Sequence, residues 1–179
     1  MSIGQRRATL EDLYNEPGKA ELVGGRIVQL MPTGHKPNII AGQIFRSLAD
    51  YADKNPGGRA YTDNMGFAVP ELPSGRESFS PDAAYYRGKP PSNPLRFVEG
   101  PPIFAVEVRS ENNDETEMAD KRADYFEAGT KVVWDVDPVA ECIHKYTSPT
   151  HKTTYQRGQT ADAEPAVPGW KVEVDWIFS

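Results

Sequence analysis

The chain has 179 residues, 38% of them hydrophobic, which suits one globular domain spanning residues 1–179. No apolar run approaches the roughly 20 residues that a membrane-spanning helix needs, and Met1–Arg7 contain no apolar stretch, so a cytoplasmic protein is predicted. The formal net charge of −6 argues against a general nucleic-acid binder, although acidic residues gathered around a metal ion would also lower this sum.

The first half of the chain predicts two hairpins separated by a helix. Gly24-Gly25 supplies the positive φ angles of a tight turn between strand-like runs at 20–23 and 26–31. Helical spacing predicts a helix from His35 to Lys54 with an apolar face made of Ile39, Phe45, Leu48, Ala49 and Ala52. A second hairpin is predicted from 67–70 and 79–86, and the proline-rich segment 87–102 reads as a loop.

The second half predicts a central strand, a helix and a terminal group of strands. The nearly continuous apolar run 103–108 is typical of a strand covered on both faces. A helix follows from about Asp114 to Ala128, with Gly129 at its C-cap. Strands are predicted at 131–136, at 141–146 (with Cys142 as a small buried side chain) and at 170–178. This order predicts an α/β (α+β) fold, a mixed β-sheet flanked by helices and β-hairpins.

Glu107 is the most informative residue, because it interrupts the most apolar strand of the chain. A carboxylate there is costly to desolvate unless a cation, a proton or a hydrogen-bond donor compensates it. Asp82, just before another strand-like run, would join Glu107 and the backbone carbonyl of Val108 as oxygen ligands of Mg²⁺. The alternatives are a strand-edge Glu107 paired with Arg109 or another base, and an ordinary turn carboxylate at Asp82.

Lys121 lies in the helix after the Glu107 strand, four residues from Tyr125 and on the same face. A lysine directed at the sheet would orient a water molecule and stabilise charge on a phosphate. The alternative is an exposed ion pair with Glu117, also four residues away. Tyr125 and Trp134 are interpreted as core aromatics, and His35 as a cap or surface residue.

Five segments in order resemble one protein family. They are Glu21–Arg26, Pro81-Asp82, Ala105–Ser110, Lys121–Gly129 and Val133–Pro138. Together they look like the Uma-two-type endonucleases, a bacterial branch of the PD-(D/E)XK nuclease superfamily, over roughly residues 10 to 150. The resemblance implies a restriction-endonuclease-like core that cleaves DNA with Mg²⁺ or Mn²⁺, with a homodimer as a further implication.

The resemblance also implies roles for individual residues. Asp82 and Glu107 would be metal ligands, and Glu21 a further acidic residue near the metal. The superfamily motif has a lysine two residues after the second acid, where this chain has Arg109. In this branch the lysine moves to the following helix, which maps onto Lys121, so the sequence leaves Lys121 and Arg109 as alternatives for the catalytic cation.

Two other functions remain alternatives. A catalytically inactive domain of the same fold would bind a protein or nucleic-acid partner, and the acidic surface favours it. A hydrolase of small phosphorylated molecules is less favoured, because no phosphate-binding glycine-rich loop is present. For DNA, the basic residues considered as phosphate contacts are Lys36, Arg46, Arg59, Arg87, Lys89 and Arg96, and Gln43 is considered as a cleft residue.

Overall fold

The computed structural model describes residues 6–111 and 113–179. Residues 1–5, part of the N-terminal stretch considered above, and Asn112, in the polar segment before the predicted second helix, lie outside the described residues. The helices are α1 (Leu10–Tyr14), α2 (His35–Lys54), α3 (Glu115–Ala128) and α4 (Val174–Ile177). The strands are β1 (Ala20–Val23), β2 (Arg26–Gln29), β3 (Arg59–Tyr61), β4 (Phe67–Ala68), β5 (Ser78–Phe79), β6 (Ala83–Tyr86), β7 (Val98–Glu99), β8 (Phe104–Val108), β9 (Val132–Asp137), β10 (Cys142–Tyr146), β11 (Lys152–Tyr155), β12 (Thr160–Asp162) and β13 (Lys171–Glu173).

The largest sheet of the described residues has the strand order β11-β10-β9-β8-β6-β3. Strands β8 and β9 are parallel, and the other neighbours are antiparallel. The parallel pair requires a crossover, which α3 supplies. The predicted mixed sheet flanked by helices is therefore confirmed.

Alternation along β8 and β9 separates two cores. Val106 and Trp134 point to the face covered by α2 and the C-terminal segment. Ala105 and Val133 point to the opposite face and pack with Tyr125 of α3. Glu107 lies two residues after Ala105, so its side chain is on the α3 face of the sheet.

Two hairpin tips touch each other, and this contact organises the region above the sheet. The predicted Gly24-Gly25 turn is confirmed, with φ of 60° and 69°. Gly24 N–H donates to Gly75 O at 2.7 Å, and a Cβ built on Gly75 would lie 2.9 Å from Gly24 Cα. Gly75 also has a φ of 87°, so a side chain is excluded by both conformation and space. The contact holds β1 against the segment that contains Arg76.

Three strand predictions need correction. Of the predicted second hairpin, β4 pairs with β5, whereas β6 leaves this sheet and joins the central one. The predicted 87–102 loop contains β7, which pairs with β4 in parallel. The predicted strand 170–178 is β13 followed by the short helix α4, because the buried residues Val174 and Ile177 are spaced by three, as on a helix.

The bounds of α2 match the prediction, but its buried face is rotated. The buried residues of α2 are Ile40, Ala41, Ile44 and Leu48. Ile39, which was predicted to lie on the apolar face, is 46% exposed. Helix α3 begins after its N-cap Asp114 and ends at Gly129, which has the left-handed conformation predicted for it. Among residues 6–111 and 113–179, no helix combines the length and the apolarity that crossing a membrane requires.

Candidate active site

A cleft of about 530 Å³ opens beside the end of β8, between the β1–β2 hairpin and α3. Its lining contains more acidic than basic side chains. The acidic ones are Glu21, Asp82, Glu107, Glu117, Asp120 and Asp135, and the basic ones are Lys19, Arg76, Lys121 and Arg122. These six carboxylates and four cations leave an excess of two negative charges if all are ionised.

Asp82 and Glu107 lie on neighbouring strands in this cleft. Asp82 directly precedes β6, and its N–H donates to Val106 O at 3.0 Å. Its Oδ2 accepts from Val108 N–H at 2.8 Å. Because N–H and C=O of one strand residue face the same side, the Val108 carbonyl also faces Asp82. The three oxygen sources predicted from the sequence are thus brought together.

The Glu107 carboxylate is largely enclosed, with a side-chain exposure of 17%. Its Oε1 accepts from the Tyr125 hydroxyl at 2.6 Å and lies 2.9 Å from Lys121 Nζ. Desolvation raises the pKa of Glu107; Lys121 opposes this effect, while Asp82 and Glu21 add to it. The neighbouring residues therefore do not fully offset the cost of burying the Glu107 carboxylate in its ionised form.

Lys121 bridges two carboxylates. Its Nζ lies 2.9 Å from Glu107 Oε1 and 2.9 Å from Glu21 Oε1, with 18% of the side chain exposed. The alternative of an exposed pair with Glu117 is therefore wrong. Burial lowers the pKa of Lys121, but the charges of Glu107 and Glu21 outweigh it, so the pKa is raised and the ammonium stays charged.

Glu21 is buried and heavily paired. Its Oε1 accepts from Ser80 N–H at 2.8 Å, and its Oε2 accepts from Arg76 at 2.6 Å. Desolvation raises the pKa of Glu21, but the charges of Lys121 and Arg76 outweigh this effect and lower the pKa to about 2. Arg76 also contacts Asp124 of α3 at 2.8 Å. The sequence interpretation missed Arg76, since its partners are 55 and 48 residues away and no local pattern marks them.

Arg109 belongs to a different ion-pair network. Its Nε and Nη2 contact both Asp135 carboxylate oxygens, at 2.7 and 2.6 Å, and Nη2 also contacts Glu115 at 2.8 Å. Asp135 is 1% exposed. Arg109 is not among the described residues that line the cleft, and Glu107 pairs with Lys121 instead of Arg109.

Lys19 is a second residue that the sequence interpretation missed. Its Nζ lies 2.9 Å from Asp82 Oδ1 and 2.6 Å from Asp63 Oδ1, and 15% of the side chain is exposed. Burial lowers the pKa of Lys19, but Asp82 and Glu107 outweigh it, and the pKa is raised. A single lysine before a strand gives no sequence signal for this position.

The basic residues considered as phosphate contacts do not meet at the cleft. Its lining within the described residues contains none of the six. Arg96 pairs with Glu11, Lys36 pairs with Glu141, and Arg46 stacks over Trp176. A basic groove assembled from these residues is therefore not part of the site.

The remaining predicted residues take structural positions. Gln43 donates to the Trp176 carbonyl at 3.4 Å, away from the cleft. His35 is exposed at the first position of α2, behind the N-cap Gly34. Tyr125 and Trp134 are fully buried, as predicted, but Tyr125 combines its stack on Phe79 with the hydrogen bond to Glu107.

The donor atoms of the cleft determine whether it can hold a divalent metal ion. In the part of the chain that the structure describes, no group of three or more His, Cys, Asp or Glu side chains is arranged to hold a metal ion. Mg²⁺ does not need such a set, because it commonly binds one or two carboxylates and keeps several waters. Asp82, Glu107 and the Val108 carbonyl are oxygen donors that line the same cleft. The donor chemistry therefore fits.

A mixed α+β sheet that presents two carboxylates and a lysine beside its central strand defines a restriction-endonuclease-like architecture. A family model, "Uma2: Putative restriction endonuclease", matches residues 7–175, and the chain belongs to this family. The chain is also similar to the crystal structure of a putative nuclease belonging to DUF820 from Anabaena variabilis ATCC 29413. The TM-score is 0.75 at 17% identity, covering 95% of this chain and 97% of the other, which shows a shared fold. No curated protein sequence matches the chain.

Proposed function

We propose that the protein is a divalent-metal-dependent nuclease that hydrolyses phosphodiester bonds in DNA. The observation that carries this proposal is the contact of Lys121 with Glu107 at 2.9 Å, next to Asp82 on the neighbouring strand end. Membership of a family described as restriction endonucleases supports the reaction class. DNA as substrate and Mg²⁺ or Mn²⁺ as the ion rest on the family resemblance.

Asp82 and Glu107, with the Val108 carbonyl, would hold the metal. When bound, a divalent cation lowers the pKa of a coordinated water and neutralises charge on the scissile phosphate. Tyr125 fixes the orientation of Glu107 through its hydroxyl. Glu107 supplies negative charge to the site only when it is ionised, and desolvation raises its pKa.

Lys121 would stabilise the charge that develops on the phosphate, because its ammonium is held in the cleft and kept protonated. Glu21 and Arg76 act through Lys121: Glu21 fixes its position, and Arg76 fixes Glu21. Arg109 is assigned the role of fixing Asp135 at the cleft wall. This arrangement favours Lys121 over Arg109 as the catalytic cation.

One observation favours a second candidate, an inactive nuclease-fold domain that binds a partner. The cleft-lining cations Lys19, Arg76 and Lys121 all lie within 3 Å of carboxylates, and the cleft has an acidic excess, so phosphates meet little free positive charge there. Such a domain would retain the fold without cleaving any nucleic acid.

Cleavage assays separate the two candidates. Supercoiled plasmid, single-stranded DNA, RNA and a chromogenic phosphodiester are incubated with the protein in Mg²⁺, Mn²⁺ or EDTA, beside Asp82→Asn and Glu107→Gln. Glu127→Gln, at an exposed position of the same helix α3 that is not among the described residues lining the cleft, is the matched control. We expect metal-dependent DNA cleavage by the parent and the control alone. No cleavage of any substrate, or equal cleavage by Glu107→Gln, contradicts the proposed site.

The homodimer that the family resemblance implies belongs to the same proposal, since cutting both strands of a duplex needs two sites. Sedimentation equilibrium of the full chain, with and without DNA, tests it. A monomer under both conditions contradicts the dimer but leaves the metal site untouched.

A further inference from the structure

Both oxygens of Asp82 are engaged by this chain's own donors. Oδ2 accepts from Val108 N–H at 2.8 Å, and Oδ1 lies 2.9 Å from Lys19 Nζ. The Val108 donor is a backbone amide of β8, so it cannot leave Asp82 without moving the strand. The Lys19 contact is a side-chain ion pair, so Oδ1 is the oxygen whose partner can change.

Lys19 has a second partner outside the cleft. Its Nζ lies 2.6 Å from Asp63 Oδ1, and Asp63 is not among the described residues that line the cleft. An ammonium has three donors on a flexible stem, so it can leave one carboxylate while keeping the other. Only 15% of the Lys19 side chain is exposed, so its ion pair with Asp63 is largely shielded from water.

We propose that Lys19 competes with the divalent cation for Asp82 and that Asp63 retains the lysine when the cation binds. The inference rests on the proposed function, because it takes Asp82 as a metal ligand. It adds a positioning residue that controls how tightly the free protein holds metal.

The competition makes predictions of opposite sign for the two partners. Lys19→Met removes the competitor, and Mn²⁺ binds the free protein at least about tenfold more tightly, since an ion pair at Asp82 no longer has to be broken. Asp63→Asn keeps an acceptor for the Asn64 N–H but leaves Asp82 as the closest carboxylate of Lys19. Mn²⁺ then binds several-fold more weakly.

A double variant separates competition from general electrostatics. Any lost positive charge attracts a cation, and any lost negative charge repels it, whether or not the two residues interact. If Lys19 transmits the effect of Asp63, the Asp63→Asn change has little effect in the Lys19→Met background. If both act only at long range, their effects on the binding free energy add.

The measurement is calorimetric titration of the full-length protein with Mn²⁺, for the parent, the two single variants and the double variant. Lys145→Met is the matched control, because Lys145 is 11% exposed, pairs with Asp162 at 2.6 Å and does not line the cleft. Melting curves verify folding, and Lys19→Gln replaces Lys19→Met if the latter is unfolded. We expect tighter binding on loss of Lys19, weaker binding on loss of Asp63 and no change in the control.

Parent-like or weaker binding by the Lys19 variants, or additive effects in the double variant, overturns the competition while leaving the metal site in place. Absence of Mn²⁺ binding in every protein overturns both the competition and the metal-dependent function. The two failures are therefore distinguishable in one experiment.

Discussion

Glu107 and Asp135 are register partners on the parallel strands β8 and β9, yet their carboxylates belong to separate ion-pair networks. Both residues line the cleft, but Glu107 contacts Lys121 at 2.9 Å, whereas Asp135 accepts from Nε and Nη2 of Arg109. The arginine that replaces the motif lysine therefore serves the neighbouring strand. In the proposed function, Lys121 is therefore the catalytic cation, and Arg109 has a structural role.

This separation predicts different consequences for the two cations. Lys121→Met removes the charge proposed to act on the phosphate, and cleavage should fall on the order of 10²–10³-fold. Arg109→Lys keeps a charge near Asp135 but loses the bidentate contact, so the melting temperature should fall while the folded protein stays within a few-fold of parental activity. Initial rates and melting curves check both variants. Loss of activity in Arg109→Lys with activity retained in Lys121→Met would reverse the assignment.

Glu107→Gln should remove activity without removing stability. The pKa of Glu107 is raised in the folded state, so the folded protein favours the protonated carboxyl. The stability that this protonation contributes is fully present below the pKa of the unfolded state and is lost as the pH rises through the pKa of the folded state. Glutamine imitates the protonated form. In EDTA the variant should melt at or above the parental temperature at neutral pH, with the difference shrinking as pH falls. A large decrease in melting temperature at neutral pH would contradict this.

Glu21→Gln should have the opposite effect on stability. The pKa of Glu21 is lowered from the ordinary 4.5 to about 2, so its contribution is present above pH 4.5 and is lost as pH falls toward 2. A shift of this size corresponds to roughly 3 kcal/mol. Urea unfolding at pH 7 should show the variant less stable by about that amount, with the gap closing in acid. Equal stability at pH 7 would show that Lys121 and Arg76 do not stabilise the carboxylate.

Tyr125→Phe tests the hydrogen bond that orients Glu107. The ring stacks on Phe79 with centroids 4.1 Å apart, so phenylalanine preserves the packing and removes only the hydroxyl. Loss of this donor destabilises the ionised carboxylate and raises the pKa of Glu107 further. The acidic limb of the profile of kcat/KM against pH should move to higher pH. An unchanged limb would show that Glu107 ionisation does not control activity.

A local sequence signal identified Glu107, whereas Asp82 was identified only together with Glu107, and Glu21 mainly through the family resemblance. Glu107 stands out as a carboxylate in an apolar strand, and the structure encloses it as the desolvation argument requires. The Gly24-Gly25 turn and the Gly129 cap follow from backbone conformations that glycine favours. These features could be predicted because each depends on residues close together in the chain.

Two of the counter-charges, Arg76 and Lys19, could not be predicted in the same way. Arg76 reaches Glu21 across 55 positions, and Lys19 reaches Asp82 across 63, so both pairs depend on how the hairpins pack on the sheet. The α2 face was misjudged for a related reason. Ile39 and Ile40 are equally apolar, and only the sheet beneath the helix selects Ile40 for burial.

A thermal scan of the parent, Asp82→Asn and Glu107→Gln in EDTA and in increasing Mn²⁺ tests the central claim most directly. A ligand that binds only the folded state stabilises it by about 2.7 kcal/mol at a hundred times its Kd. We predict that the melting temperature of the parent rises with Mn²⁺ and that neither variant responds. An equal rise in Glu107→Gln, or no rise in the parent at millimolar Mn²⁺, would contradict a metal site at Asp82 and Glu107.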